Sequence, residues 1–302
     1  MTHDLREELA TLTTEATDAS LDDIDLVPTL EAARRMNAAD RGVPVALEPC
    51  LPAVAEAADR IADAFAAGGR LLYVGAGTPG RLGILDASEC PPTFGTDPGM
   101  VVGVIAGGTP AITTAVEGAE DDESAAVRDL DALGLTSRDV VVGISASGRT
   151  PYVLSALREA RRRSAASVAV TNNAGSAAGR IADIAIDVVT GPEFIAGSTR
   201  LKAGTAQKLV LNMLTTLAML RRHKTFGNRM VDVRATNAKL AARSFSLVQD
   251  VTGASDADVD AALHDASGEV KTAIAVLLTG LSAASARDRL DAADGSLRAV
   301  LS

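Results

Sequence analysis

Three hydroxyl side chains, Ser145, Ser147 and Thr150, crowd around Gly148 in a stretch that follows the apolar run Val140–Ile144 and precedes Pro151. Hydroxyls donate to phosphate oxygens without adding charge, and a helix N-terminus beside them offers free amides and a positive dipole end. A second stretch has the same character. Leu71–Val74 runs into Gly75, Gly77 and Gly80, with Thr78 as a candidate N-cap and Pro79 in the first turn of a helix. These two loops suit the capture of a phosphate ester, with Gly77, Thr78, Ser145, Ser147, Gly148 and Thr150 as its contacts. A blander reading stands beside this one. Glycines serve any tight strand-to-helix turn, and Ser or Thr is an ordinary cap. One cap explains one hydroxyl, less easily three.

Other phosphate chemistries fit less well. The spacing Gly75-x-Gly77-x-x-Gly80 matches the dinucleotide fingerprint, which wants an acidic residue about 20 residues on, at the end of the second strand. The next apolar run, Val101–Ala106, ends in Gly107-Gly108 without a carboxylate. No Gly-Lys-Ser/Thr follows, which excludes a P-loop. His3, His223 and His264 lie far apart without metal-ligand spacing, so no metal is expected. Cys50 and Cys90 allow at most one bridge, and reduced thiols in a cytoplasmic protein are the expectation. A net charge of −10 argues against nucleic acid as a partner. No apolar run reaches the ~18 residues of a membrane span, and the acidic N-terminus lacks a signal-peptide pattern.

The elements that position these loops alternate. Candidate strands are Leu71–Val74, Val101–Ala106, Val140–Ile144, Ser167–Thr171 and Ile184–Val188; helices are expected at Pro79–Glu89, Ala111–Glu117, Asp122–Leu133 and Tyr152–Arg163. This predicts an α/β fold, a doubly wound parallel sheet with ligands beyond the carboxyl ends of the strands. Aromatic residues make up only 2% of the chain, so Ala, Val, Leu and Ile must build the core. Before the sheet, Leu51–Ala67 has helical spacing and stops at Gly68-Gly69, and Leu30–Leu47 reads as a helix interrupted near Gly42-Val43-Pro44. Ala203–Leu220 is helical. After Asn237 the chain reads as Leu240–Thr252 and three short helices, Ser255–Asp265, Gly268–Thr279 and Ser282–Ala293. The expected organisation is an N-terminal helical segment (1–55), a ligand-binding α/β domain (56–236) and a C-terminal helical domain (237–302).

The stretches GAGTPGRLG, DASECPPTFGT, AVEGAEDD, SGRTPYV and GSTRLKAGTAQKLVLNM resemble those of the N-acetylmuramic acid 6-phosphate etherases, within the sugar-isomerase-domain superfamily, over about Arg35 to Thr236. The resemblance implies a sugar-isomerase-like fold with a small ubiquitin-associated-like helical bundle at the C-terminus. It implies cleavage of the lactyl ether at C3 of the sugar to N-acetylglucosamine 6-phosphate and D-lactate, in cytoplasmic recycling of bacterial cell wall. No metal or organic cofactor is needed, and the family tends to form homodimers. Two departures stand out. Thr78-Pro79 replaces the family's usual Thr-Ser, and Thr14-Glu15-Ala16-Thr17-Asp18 replaces Thr-Glu-x-Arg-Asn.

Ether cleavage of this kind needs two general acid–base groups. Opening the ring exposes a C1 aldehyde that acidifies the C2 proton; a base removes it while an acid protonates the departing oxygen at C3, and water then adds. Histidine is scarce, so carboxylates are the candidates, and the family's two catalytic glutamates match Glu89 and Glu120. Cys90-Pro91-Pro92 should end the helix at Glu89, where the negative helix end and Asp86 disfavour charge and suit a proton donor. Glu120 should precede a helix starting near Asp121, which favours the carboxylate of a base. A helix from Pro79 to Glu89 spans about 15 Å, longer than a sugar, so either the site is shared between two copies or the helix is shorter than this. Arg200 and Lys202 suit the lactyl carboxylate, or are equally solvated helix-end cations. Ser198, in the turn Gly197-Ser198-Thr199, is expected as a further substrate contact, and resemblance to related sites implies that Glu193 contacts a sugar hydroxyl. Two alternatives share the phosphosugar loops: a phosphosugar isomerase, and a noncatalytic regulator like the related glucokinase regulatory proteins.

Overall fold

The structure is a computed structural model that describes residues 12–233 and 238–302. His3 and the expected domain boundary between residues 236 and 237 lie outside the described residues. Three helices come first: α1 (Thr29–Asp40), α2 (Gly42–Leu47) and α3 (Leu51–Ala66). The break expected near Gly42 falls at Arg41. Helix α3 buries Val54, Ala57, Ala58, Ile61, Ala62 and Phe65, the stripe that helical spacing requires.

The sheet follows as β1 (Leu71–Gly75), α4 (Gly77–Phe94), β2 (Val101–Ile105), α5 (Pro110–Thr113), α6 (Glu123–Ala132), β3 (Val140–Ser145), α7 (Pro151–Arg162), β4 (Ala166–Thr171), α8 (Ala177–Ile181), β5 (Ile184–Asp187) and α9 (Lys202–Arg221). Its five strands run parallel in the order β2-β1-β3-β4-β5. Every residue of β1 and β3 is buried, because helices cover both faces, and the sequence accordingly reads as unbroken apolar runs rather than alternation. On one face Leu72, Val74, Val141 and Ala169 pack with Leu130 of α6 and Tyr152, Val153, Ala156 and Leu157 of α7. On the other, the Tyr73 hydroxyl reaches Asp86 of α4 and the Leu211 carbonyl of α9.

Strand order decides where a ligand binds. The chain steps from β1 to β2 on one side, then crosses to β3 on the other, so the crevice opens beyond the carboxyl ends of β1 and β3. Gly75 is the register partner of Ile144, which sets the two phosphate-type loops side by side.

The described residues fall into two compact units: those up to Ser88 together with Gly99–Thr215, and Glu89–Pro98 together with Thr216–Ser302. The second unit holds the hairpin β6 (Thr225–Phe226) and β7 (Arg229–Met230), then α10 (Ala238–Thr252), α11 (Asp256–Asp265), α12 (Val270–Thr279), α13 (Ala283–Ala292) and α14 (Leu297–Leu301). It has its own core of Val248, Val259, Ala262, Ile274, Leu290, Leu297 and Val300. The three expected short helices are present, and α14 adds a fourth, capped by Ser296. No helix among the described residues is long and apolar enough to cross a membrane.

Three expectations need correction. Helix α4 does not stop at Glu89; it passes through Pro91 and Pro92 to Phe94. Proline's fixed φ suits a helix, and each ring here removes only one N–H. The helix ends instead at Gly95, which takes a φ of 62° and donates its N–H to the Pro91 carbonyl at 3.0 Å. Thr78 lies inside the first turn of α4 rather than at its cap, since the helix begins at Gly77. The helix expected at Ala111–Glu117 shortens to Pro110–Thr113.

Candidate active site

The loop after β3 builds a hydroxyl cluster. Ser145 Oγ lies 2.8 Å from Thr150 Oγ1 and 3.5 Å from Ser147 Oγ, and it accepts the Gly148 N–H at 3.0 Å. Ser147 Oγ accepts the Arg149 N–H at 3.2 Å. Thr150 is the N-cap residue of α7, yet its hydroxyl makes no capping bond. It turns to Ser145 instead, so ordinary capping does not account for these three side chains. Gly148 is required twice over: φ is 68°, and a Cβ there would stand 2.3 Å from the Ser176 Cβ.

In the loop after β1, the glycines divide by task. A Cβ on Gly80 would lie 2.6 Å from Ile105 Cγ1 and 2.8 Å from the Gly75 carbonyl oxygen, so Gly75 and Gly80 let α4 press against the strand ends. Gly77 has φ of 57° and open space around it. Thr78 Cγ2 is 3.5 Å from a Cβ position on Gly204, which puts Thr78 beside the first turns of α9.

The start of α9 is the third component. Glu193 is 1% exposed and spends both oxygens on that helix, accepting the N–H groups of Lys202 at 2.8 Å and Ala203 at 2.9 Å. A carboxylate at a helix N-terminus satisfies orphan donors and complements the dipole. The Lys202 ammonium, mostly buried, donates to the Thr190 carbonyl at 2.9 Å. Ser198 is half-buried in the turn before the helix, and Arg200 is exposed.

Sequence reasoning missed the residues after β4. Asn172 and Asn173 both tie down the hydroxyl loop: the Asn172 N–H and the Asn173 side-chain amide each donate to the Ala146 carbonyl at 3.0 Å. Gln207 of α9 donates to Asn172 Oδ1 at 3.0 Å, and its own Oε1 is buried without a partner. Asn173 also binds the N-terminal stretch, accepting from the Thr13 N–H and hydroxyl and donating to Thr14 Oγ1. The signal was positional, since both asparagines directly follow a parallel strand at its carboxyl end.

The two glutamates sit differently from expectation. Glu89 is exposed, belongs to the second unit, and lies more than one turn from the end of α4, beyond the reach of the terminal dipole. Glu120 is exposed in a 3₁₀ turn, Ala119–Asp121, in the first unit. The cap of α6 is Asp122, whose carboxylate accepts from the Ser124 hydroxyl, the Ala125 N–H and Arg128 and is thereby lowered to about 2. The helix-end stabilisation expected for Glu120 goes to Asp122. Among the described residues no group of three or more His, Cys, Asp or Glu is arranged to hold a metal ion.

Asp86, one turn before Glu89, is buried and accepts from the Tyr73 hydroxyl at 2.9 Å and the Asn212 amide at 2.7 Å. Burial pushes its carboxyl above the ordinary 3.8, against the pull of those hydrogen bonds. A raised folded-state value means the ionised form costs stability, a cost absent below the unfolded value and complete above the folded one. In the Asp86→Asn protein, where Asn212 can turn its amide to accept, that pH dependence should vanish. The melting temperature of the native chain relative to this variant should fall as pH rises from about 3 past the raised value; a constant difference contradicts the assignment.

The doubly wound parallel sheet, with its hydroxyl cluster at the switch point, is that of the SIS class of α/β proteins, as two family models show. A model described as the SIS domain matches residues 119–217, and one described as the glucokinase regulatory protein N-terminal SIS domain matches residues 53–161. The chain is 57% identical to the N-acetylmuramic acid 6-phosphate etherase of Streptomyces avermitilis, over 98% of this chain and 96% of that protein. It is 52% identical to the etherase of the same name from Escherichia coli O127:H6, over 97% of this chain and 99% of that one. A solved phosphoheptose isomerase from Francisella tularensis is similar at 23% identity and a TM-score of 0.47, over 67% of this chain and 100% of that one. The chain belongs to the N-acetylmuramic acid 6-phosphate etherase family.

Proposed function

We propose that this chain cleaves the lactyl ether of N-acetylmuramic acid 6-phosphate, releasing N-acetylglucosamine 6-phosphate and D-lactate by elimination followed by water addition. The observation that carries this reading is the Ser145–Ser147–Thr150 cluster at the switch point, in a chain more than half identical to named etherases over nearly its full length. The phosphate is held by these three hydroxyls, the Gly148 loop and the Gly77-Thr78 turn. Ser198, Arg200 and Lys202 take the lactyl end; Glu193, expected as a sugar contact, has both oxygens committed to the Lys202 and Ala203 N–H groups and instead fixes the start of α9. Glu120 removes the C2 proton and Glu89 protonates the leaving oxygen. These two roles rest on the match of both residues to the family's glutamates, not on helix-end electrostatics. No metal or organic cofactor takes part.

The working form in this reading is a homodimer. Helix α1 has no buried residue, and Leu26, Leu30 and Val45 are exposed; in this reading a second copy covers them. The three-part organisation (1–55, 56–236 and 237–302) and a cytoplasmic location complete the proposal. Incubating the purified protein with N-acetylmuramic acid 6-phosphate should release D-lactate and N-acetylglucosamine 6-phosphate in equal amounts. Binding without lactate release would instead indicate a regulator.

A further inference from the structure

Helix α4 is weakest in the turn that carries Glu89. An α-helix bonds each N–H to the carbonyl four residues back, so Pro91 and Pro92 leave the Ala87 and Ser88 carbonyls without those backbone donors. Glu89 lies between these carbonyls and the prolines. The segment beyond it is held from outside the helix. Gly95, the left-handed residue that stops α4, lies directly on the backbone of Asp232: a Cβ on Gly95 would stand 2.2 Å from the Asp232 carbonyl oxygen. Val231 and Val233, on either side of Asp232, are buried in the second unit's own core. The Asp232 carboxylate in turn accepts from Lys271 Nζ at 2.9 Å and lies 3.0 Å from Lys224 Nζ. Lys271 is 8% exposed in the first turn of α12, a helix whose Val270, Ala273 and Ile274 belong to the same core. Its ammonium also donates to the His223 carbonyl at 2.9 Å, just past the end of α9. One buried cation thus ties α12 to the segment on which the end of α4 rests. Glu89–Pro98, Asp232 and Lys271 all belong to the second unit.

We propose that Lys271 is a positioning residue for ether cleavage: through Asp232 and Gly95 it fixes the proline-weakened turn of α4, and with it the placement of Glu89. This inference rests on the reading of Glu89 as proton donor and deepens it, giving the helical C-terminal region a part in the reaction. A general acid must meet the leaving oxygen within hydrogen-bond reach, and a misplacement of about 1 Å costs on the order of a hundredfold. Glu120 sits in a separate turn of the first unit that none of these bonds involves, so removal of the C2 proton should be spared.

The test compares Lys271→Met with the native chain, reading deuterium entry at C2 of N-acetylmuramic acid 6-phosphate in heavy water and lactate release from the same samples. Lactate release should fall about tenfold to a hundredfold while C2 exchange stays within about twofold of native. The backbone amides of Glu89, Cys90, Thr93, Phe94 and Gly95 should exchange with solvent about tenfold faster, and those of β1 should not change. Asp232→Asn keeps the carbonyl under Gly95 and an acceptor for one lysine, so it should shift both readouts the same way by less; it carries the test if Lys271→Met does not fold. Equal loss of C2 exchange and lactate release, the mark of a merely structural role, overturns the inference, as does unchanged lactate release or unchanged amide exchange. If the native chain releases no lactate, the etherase reading fails separately, and the amide exchange still decides whether Lys271 holds the turn.

Discussion

Replacing Glu120 by Gln should lower kcat/KM for N-acetylmuramic acid 6-phosphate by about a thousandfold and stop deuterium from entering C2 of the sugar in heavy water. The substitution is isosteric and exposed, and the residue sits in a single 3₁₀ turn outside the helices, so the melting temperature should not change. The amide cannot accept the C2 proton, so every later step is starved. Glu89→Gln should behave differently. With the base intact, deuterium still enters C2, but the leaving oxygen lacks its proton donor and lactate release falls. Normal C2 exchange in the Glu120→Gln protein would show that another group is the base.

The second large effect is structural. Gly80→Ala should destabilise the fold by about 2 kcal/mol or more, read as a lower denaturation midpoint. Helix propensity alone argues the other way, since alanine in a helix gains about 1 kcal/mol over glycine. Packing decides the sign. The new Cβ would sit 2.6 Å from Ile105 Cγ1 and 2.8 Å from the Gly75 carbonyl oxygen, and the strand backbone cannot retreat without breaking the pairing of Gly75 with Ile105 and Ile144. A stabilised Gly80→Ala protein would mean that α4 does not press against β1 and β2 as described.

The sheet was legible because buried parallel strands have no competing local signal. Leu71–Val74 became Leu71–Gly75 and Val140–Ile144 became Val140–Ser145, each an apolar run closed by glycine or a polar residue. The hydroxyl loop was legible for the same reason, since position beyond a strand end and residue type pointed together. Helix α4 was misread because a double proline is a strong local stop signal, whereas the actual stop is the left-handed Gly95 a few residues later. With that end displaced, the terminal dipole does not reach Glu89. Glu193 shows a further limit: its bonds to Lys202 and Ala203 span a loop, and no spacing rule links them. Asn172 and Asn173 carry no motif, and only the fold reveals that they join the N-terminal stretch to the hydroxyl loop.

The central claim is that the bond broken is the one between C3 of the sugar and the lactyl oxygen, by elimination and rehydration. Running the reaction in water enriched in oxygen-18 tests it directly. The account predicts that N-acetylglucosamine 6-phosphate gains one heavy oxygen at C3 and that the released D-lactate gains none. Heavy oxygen in the lactate hydroxyl, with none at C3, would contradict it.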